Sequence, residues 1–347
     1  MTRTAEPQTA RAAAIWLACV AAIILAMVVV GGATRVTGSG LSITEWSPVS
    51  GAIPPLSHES WERMFVLYRA TPQYRLINQG MSLGKFQSIF WWEWGHRLLG
   101  RLLGVAFLIP FLILLARRSL PRRLIWRCVV LFALGGLQGA VGWWMVKSGL
   151  DHRTSVLPER LATHNGLALL LFAATIWTAL EAWEGPRSGA GKGRRGWVRT
   201  SQLFLAAVYV QCLLGALVAG NHAGLVDADW PLMAGRLFPA DYWGGSVWTT
   251  LAHSAAAVQF NHRVWAYGLL AGGLAMAAAS LRKGASAVRP TAMAVAALLA
   301  VQIGLGIATL LLTVPLPLAM LHQFTAVVLL GAATALAWRT RRLEQVL

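Results

Sequence analysis

The chain has 347 residues, of which 56% are hydrophobic and only 12% are charged. Charged residues make up about a quarter of an ordinary soluble domain. The apolar residues fall in blocks of about 18 or more, long enough to cross a hydrocarbon core about 30 Å thick. A soluble globular protein is therefore excluded. The net charge of +17 does not indicate nucleic-acid binding, because most basic residues lie in short segments between apolar blocks, where they commonly set membrane topology.

The apolar blocks predict an all-α, polytopic membrane protein with eight transmembrane helices. The predicted spans cover residues 12–31, 96–116, 124–146, 162–183, 200–219, 262–281, 290–312 and 317–338. Basic residues concentrate ahead of the first span, after the last span and in every second connection. Because an excess of lysine and arginine marks the cytoplasmic side, we expect both termini inside and the long loops 32–95 and 220–261 outside.

The segments outside the spans carry further predictions. No small-residue cleavage site follows the first span, and no Ser/Arg-rich amphipathic leader precedes it, which favours a retained helix in a bacterial inner membrane. In loop 32–95, Trp61, Phe65 and Tyr68 recur at helical spacing behind a candidate cap at Ser57. They predict a short helix, and packing on the bundle is favoured over lying on the membrane surface.

The two halves of the chain repeat one another. Short motifs match at nearly constant offsets, namely Gly95-His96-Arg97 with Asn261-His262-Arg263, Gln138 and Gly142 with Gln302 and Gly306, and Thr163-His164-Asn165 with Leu321-His322-Gln323. They predict two pseudo-symmetric four-helix bundles, residues 1–183 and 200–347, joined by a flexible, Gly-rich cytoplasmic linker, 184–199. Because four spans is an even number, the halves have the same orientation, as in a parallel repeat.

Each even-numbered span carries one histidine near its predicted outer end, and these are His96, His164, His262 and His322. Ionisable side chains inside membrane spans are costly and usually functional. Two facing imidazoles in a helical bundle are typical of an axial pair for haem iron. A small residue follows each histidine at i+4, on the same helix face, which leaves room for a flat ring. The residues therefore predict two bis-histidine haem sites, one in each half.

Other metal centres fit less well. Zinc and copper sites prefer compact sets of three or four ligands that include cysteine or carboxylate. A di-iron carboxylate bundle needs two Glu-x-x-His motifs, and this chain has one, from Glu93 to His96. The remaining histidines lie in loops without a counterpart in the repeat and are expected to be solvated, namely His58, His152, His222 and His253.

Arginines near the outer ends of the spans are candidate ligands for haem propionates. Arg97 and Arg263 each follow a histidine directly, and Arg101 lies one turn after Arg97. Guanidinium groups bind carboxylates bidentately. The alternative is that these side chains snorkel to lipid phosphate.

A carboxylate distinguishes the two predicted haem sites. Glu93 precedes His96 by three residues and lies on the same helix face, whereas the corresponding residue ahead of His262 is the neutral Gln259. A purely electron-carrying pair of haems would not need this difference. The difference indicates that one haem is a cofactor and the other is the substrate, with Glu93 as the candidate catalytic group. The alternative is that Glu93 only pairs with Arg97 at i+4.

Longer motifs run through nearly the whole chain. They include GGATRVTGSGLS at 31–42, KFQSIFWWEWGHR at 85–97, WPLM at 230–233, QFNHR at 259–263 and HQ at 322–323. Together they resemble the haem A synthase family, in its proteobacterial and mitochondrial branch. The resemblance implies that haem O is the substrate and that one of its methyl groups is oxidised to a formyl group through hydroxylated intermediates.

The resemblance also implies the assignment of the sites. His262 and His322 would hold one haem b, whereas His96 and His164 would hold the substrate haem O, with Glu93 required for chemistry. Expected partners are the haem O synthase (a farnesyltransferase), oxidase assembly factors, an electron donor or acceptor and, as an open alternative, further copies of the chain. Some relatives have a cysteine pair in an outer loop, which this chain lacks, so a thiol-linked electron route is not expected.

Two rival classes stay open at this point. The runner-up is a dihaem b-type electron-transfer cytochrome, which would hold two permanent haems b and tolerate substitution of Glu93. A transporter would show interrupted helices with polar groups near the membrane midplane, whereas the polar groups here cluster at the outer surface. The residues also leave open whether the inserted oxygen comes from dioxygen or from water.

Overall fold

The computed structural model describes residues 10–151, 153–185, 195–282 and 285–341. Within them the chain forms eight long helices and three short ones. In chain order they are α1 (Arg11–Val36), α2 (His58–Arg69), α3 (Pro72–Leu76), α4 (Leu83–Ala116), α5 (Arg122–Leu150), α6 (Pro158–Glu184), α7 (Arg195–Gly220), α8 (Val247–His253), α9 (Ala255–Ser280), α10 (Arg289–Leu311) and α11 (Leu316–Thr340).

Seven of the long helices are long and apolar enough to cross a membrane, which confirms a polytopic all-α membrane protein. The eighth long helix, α9, has 26 residues but is not among these seven. Its first turns carry the polar side chains Gln259, Asn261, His262 and Arg263, which lower its hydropathy. The count of eight spans therefore stays a prediction.

The eight long helices pack as two rings of four. In the first ring α1 contacts α4, α4 contacts α5, α5 contacts α6, and α6 returns to α1. In the second ring α7, α9, α10 and α11 contact one another in the same order. The rings are joined where α1 packs against α11, and α6 against both α7 and α11. Buried apolar side chains of these joining helices, among them Leu17, Val20, Leu169 and Leu330, form the core.

The rings follow the order expected for the predicted halves 1–183 and 200–347, whose symmetry stays a prediction. Residues 186–194, most of the predicted linker, lie outside the described residues, as does His152.

The helix that contains the second predicted span begins well before residue 96. Helix α4 begins at Leu83, where the Ser82 side chain accepts a hydrogen bond from the backbone N–H of Lys85, and it has 34 residues. At 1.5 Å per residue it is about 50 Å long, well above a hydrocarbon core of about 30 Å. His96 therefore lies inside the helix rather than at its start, and the point at which the membrane span begins within α4 stays a prediction.

The short helix predicted in the outer loop is confirmed as α2. The Ser57 hydroxyl accepts a hydrogen bond from the Ser60 backbone N–H, and the Ser60 side chain accepts one from the Ser57 N–H, which is a capping box. Phe65 and Tyr68 are buried and stack on Phe86 of α4 at ring distances of 5.0 and 5.3 Å. The helix therefore packs on the bundle, as expected, through the outer extension of α4.

Candidate functional site

Each of the four predicted histidines packs its imidazole against a glycine of a neighbouring helix. A Cβ atom added at these glycines would lie between 2.9 and 3.2 Å from the imidazole Cε1 atom, closer than ordinary van der Waals contact. The pairs are Gly31 with His96, Gly142 with His164, Gly215 with His262 and Gly306 with His322. We call these four residues the cradle glycines. Each lets an imidazole lie directly on a helix backbone, which no other residue type would permit without displacement.

Three of the four imidazoles also contact a glutamine that lies one helical turn before the cradle glycine. The side-chain amide of Gln138 lies 3.2 Å from His164 Nδ1 and donates to the His164 backbone carbonyl at 3.0 Å. The same two contacts join Gln211 to His262 and Gln302 to His322, with amide to Nδ1 distances of 3.1 and 3.2 Å. The amide nitrogens of Gln211 and Gln302 also lie 3.4 Å from the Nε2 atoms of their histidines. The bond to the backbone carbonyl therefore ties each histidine helix to its neighbour, and the amide packs against the imidazole.

The two histidines of each half lie on opposite helices of one ring. In the first ring α4, which carries His96, lies opposite α6, which carries His164, with α1 and α5 between them. In the second ring α9, with His262, lies opposite α11, with His322. All four side chains keep accessible surface. Two histidines on opposite helices of a four-helix ring fit the axial ligands of a bis-histidine haem. Their contacts with glycine leave room for the haem between the imidazoles.

Glu93 is a buried carboxylate that anchors the loop after α1. Its side chain is 3% exposed. Oε2 accepts hydrogen bonds from the Ser42 hydroxyl at 2.7 Å and from the Ile43 backbone N–H at 2.8 Å. Oε1 pairs with the Arg97 guanidinium at 2.6 Å, so the ion pair considered as the alternative is present. It does not account for the whole environment, because the carboxylate also holds two donors from the loop.

Gln259 has the corresponding position in the second half. It is likewise 3% exposed, and its amide donates to the backbone carbonyls of Ala223 and Asp227, just after α7. Glu93 and Gln259 therefore both tie a histidine helix to the loop that follows the preceding long helix. Of these two corresponding residues, only Glu93 has a carboxyl group.

The three arginines proposed as propionate ligands bind backbone carbonyls of the outer loops. The acceptors are Ile43 and Glu45 for Arg97, Ser47 and Pro48 for Arg101, and Asp227 and Leu232 for Arg263. Each arginine thus fastens a loop to a histidine helix. Arg101 Nη1 and Arg263 Nε are nevertheless buried without a hydrogen-bond acceptor, so each of these two arginines keeps an unpaired donor atom.

Two of the histidines expected to be solvated also make contacts: His222 is exposed and His253 is partly buried. His222 Nε2 lies 2.6 Å from Arg35 Nη2, and Arg35 also donates to the carbonyl of Ala219. Burial and the Arg35 charge lower the pKa of His222, so its neutral ring accepts from the guanidinium. His253 lies 3.6 Å from Glu159. Both contacts join the two halves on the predicted outer side, which the chain order alone does not reveal.

Comparison with known proteins decides the family. The profile described as cytochrome oxidase assembly protein matches residues 14–334. A protein named heme A synthase from a Caulobacter species is 56% identical over 345 residues, which is 99% of this chain and 100% of the relative. The one from Caulobacter vibrioides is 55% identical with the same coverage. A third, from Parvibaculum lavamentivorans, is 47% identical over 96% of this chain and 95% of its own length.

The chain belongs to the haem A synthase family. The match extends from α1 to α11 and so includes both rings and all four histidines. The resemblance identified from the motifs is thereby confirmed, and the dihaem electron-transfer cytochrome is not favoured.

Part of the histidine environment in this family member was not predicted from the sequence. Gln211 and Gly215 have the same four-residue spacing as the two Gln and Gly pairs that were noted in spans 3 and 7. This spacing was the available signal, since residues i and i+4 lie on one helix face. The glycines alone do not predict a histidine contact. The cradle glycines of α1 and α7 lie in glycine-rich helix ends, where helix packing already explains small residues.

Replacing Gly306 with valine is expected to displace His322, because a Cβ atom there would lie 3.0 Å from the imidazole. Overpacking of this kind costs about 1–3 kcal/mol, equivalent to roughly 5- to 150-fold weaker haem binding. Gly304, on the same helix, has no atom within 4 Å of an added Cβ, so Gly304→Val is the matched control. The readout is low-spin haem absorbance per mole of purified protein. Equal haem content in both variants would contradict the role of the cradle.

Proposed function

We propose that this protein converts haem O to haem A by oxidising one porphyrin methyl group to a formyl group through hydroxylated intermediates. The product would serve terminal oxidases. The observation that carries this proposal is the placement of two histidine pairs on opposite helices of two rings, each imidazole on its own cradle glycine. It is supported by the name shared by relatives that align over nearly the full chain.

The two pairs have different roles in this proposal. His262 and His322 hold one haem b as cofactor, and His96 and His164 hold the substrate haem O. The buried carboxylate of Glu93 supports this assignment, because it lies one turn before His96 and its counterpart is the uncharged Gln259. When bound, the cofactor haem supplies one-electron redox chemistry.

The side chains of the N-terminal half orient the substrate and move a proton. Arg97, the Ser42 hydroxyl and the Ile43 backbone N–H hold the Glu93 carboxyl group in place. Glu93 can then accept the proton released as the methyl carbon is oxidised, or stabilise positive charge that develops there. The unpaired donors on Arg101 and Arg263 are the proposed contacts for propionates, and Arg97 completes this set through its guanidinium.

The proposed location is the bacterial inner membrane, with both termini in the cytoplasm. Basic residues at the ends of the helices support this orientation. For example, Arg123 and Arg127 at the start of α5 bind Glu181 in the last turns of α6. The proposed partners are the haem O synthase, oxidase assembly factors and an electron donor or acceptor. A fusion at Leu347 to alkaline phosphatase should be inactive, and phosphatase activity there would contradict the orientation.

Extraction and chromatography of the haems bound to the purified protein test the proposed reaction. We expect haem B together with haem O, a hydroxylated derivative or haem A. Haem B alone, in two equivalents per chain, would contradict the proposal and support a dihaem electron-transfer cytochrome.

A further inference from the structure

The two four-helix rings are closed to different extents. In the second ring every helix packs closely against both of its neighbours. In the first ring α4 and α5 pack against each other much less than any other neighbouring pair. The first ring meets the second through α1 and α6, so the boundary between α4 and α5 lies on the side away from the second ring. We call this boundary the open seam.

Aromatic contacts close the seam at its two ends. Phe132 of α5 stacks on Phe107 of α4 at a ring distance of 5.9 Å. Eleven residues further along α5, Trp143 contacts Trp46 at 5.9 Å. Trp46 lies in the loop whose carbonyls on either side of it bind arginines of α4. At 1.5 Å per helical residue the two contacts are about 16 Å apart along α5, so the seam is a window with fixed ends.

Between these contacts, the face of α5 that meets α4 has no side chains. Positions 132, 136, 139 and 143 share one helix face, and the two inner ones are Gly136 and Gly139, both exposed. A Cβ atom added at either glycine would meet no neighbouring side chain or helix of the described chain within 4 Å. The same is true of Gly104 on α4, three residues before Phe107. Glycine backbone therefore lines the seam.

The corresponding boundary in the second half, between α9 and α10, is filled. By the repeat of the two halves, Gly135 and Gly139 of α5 correspond to Leu299 and Ile303 of α10. Leu299 is 2% exposed, and its side chain lies directly over Gly273 of α9. A few residues of one helix thus account for the difference between an open seam and a closed one.

We propose that the open seam is a lateral passage between the bilayer and the N-terminal histidine pair, through which haem O enters and haem A leaves. This inference rests on the proposed function, in which that pair binds the substrate. The farnesyl chain of haem O is apolar, and moving it through water is unfavourable, so a route from lipid suits it. Gly139 lies three residues before Gly142, the cradle glycine of His164, so the seam leads to the pair. The closed second ring retains its haem b.

The first test fills the seam with the double variant Gly136→Leu/Gly139→Ile. Purified protein with haem b in place is mixed with vesicles that contain haem O, recaptured at intervals and analysed for bound haems by chromatography. Loading and release of haem O should both slow by about tenfold or more, because packed side chains then have to be displaced before a haem passes. The haem b content should not change. Gly304→Leu on α10, which also has open space around an added Cβ, should load haem O at the wild-type rate.

The second test blocks the seam reversibly and compares one folded protein with itself. Gly139→Cys is treated with a bulky methanethiosulfonate, which should slow loading, and a reducing agent should restore the original rate. Wild-type protein treated in the same way is the control, since its Cys19 is exposed. Wild-type loading in the blocked Gly139→Cys protein or in the double variant overturns the inference, as does weaker binding of haem O with an unchanged loading rate. Failure of the proposed function looks different, because wild-type protein would then take up no haem O in its N-terminal half.

Discussion

Replacing Glu93 with glutamine is expected to slow haem A formation by about 10²–10⁴-fold, the usual effect of losing a positioned acid–base group. Glutamine keeps the shape and retains an oxygen that accepts from Ser42 and Ile43, but it removes the charge and the proton acceptor. The measurement is the ratio of haem A to haem O plus hydroxylated intermediate in membranes that contain equal amounts of each variant. Haem O or the intermediate should accumulate.

The structure requires a control for this experiment, because Glu93 also anchors the outer loop. Ser42→Ala removes the hydroxyl that donates to Glu93 Oε2 and leaves the carboxylate charged by the side of Arg97. If Glu93 takes part in the chemistry, Ser42→Ala should convert haem O far better than Glu93→Gln. Equal losses in the two variants would mean that Glu93 acts only as an anchor, and a wild-type ratio in Glu93→Gln would remove it from the mechanism.

Alanine at either histidine of the C-terminal pair is expected to remove the low-spin spectrum of haem b. A bis-histidine site left with one ligand binds its iron weakly and changes its spin state. Alanine at His96 or His164 should leave that spectrum largely intact and stop haem A formation. The measurements are the reduced-minus-oxidised spectrum of purified protein and the haem composition of the membranes. Loss of the haem b spectrum on mutating His96, with none on mutating His322, would show that the sites are assigned to the wrong halves.

The two histidine pairs are joined through α1. Gln323, next to His322, donates to the carbonyl of Val28 at 2.9 Å, and its side chain lies directly over Gly32. Gly32 follows Gly31, the cradle glycine of His96. A Cβ atom on Gly32 would lie only 1.6 Å from Gln323 Oε1, so a larger residue there would have to displace the Gln323 side chain. Two neighbouring glycines of α1 thus contact His96 of the first pair and the residue next to His322 of the second.

The sequence by itself determined the helical membrane architecture, the four histidines and the family. Hydropathy and helical periodicity are local properties, since each helix satisfies its own backbone hydrogen bonds within the bilayer. The short helix α2 was also predictable, because its cap at Ser57 and its apolar face lie within a few residues of each other. The start of α4 was not, because its outer turns are stabilised by packing on α2 rather than by burial in lipid.

Only the tertiary structure decided what surrounds each histidine. Gly31 reaches His96, and Ser42 reaches Glu93, across tens of residues of intervening loop. The sequence alone does not show that Gln138, Gln211 and Gln302 contact an imidazole, because each contact joins two different helices. Contacts between distant segments depend on how the helices pack against one another, and the local pattern of a helix specifies which face is apolar but not which neighbour it meets.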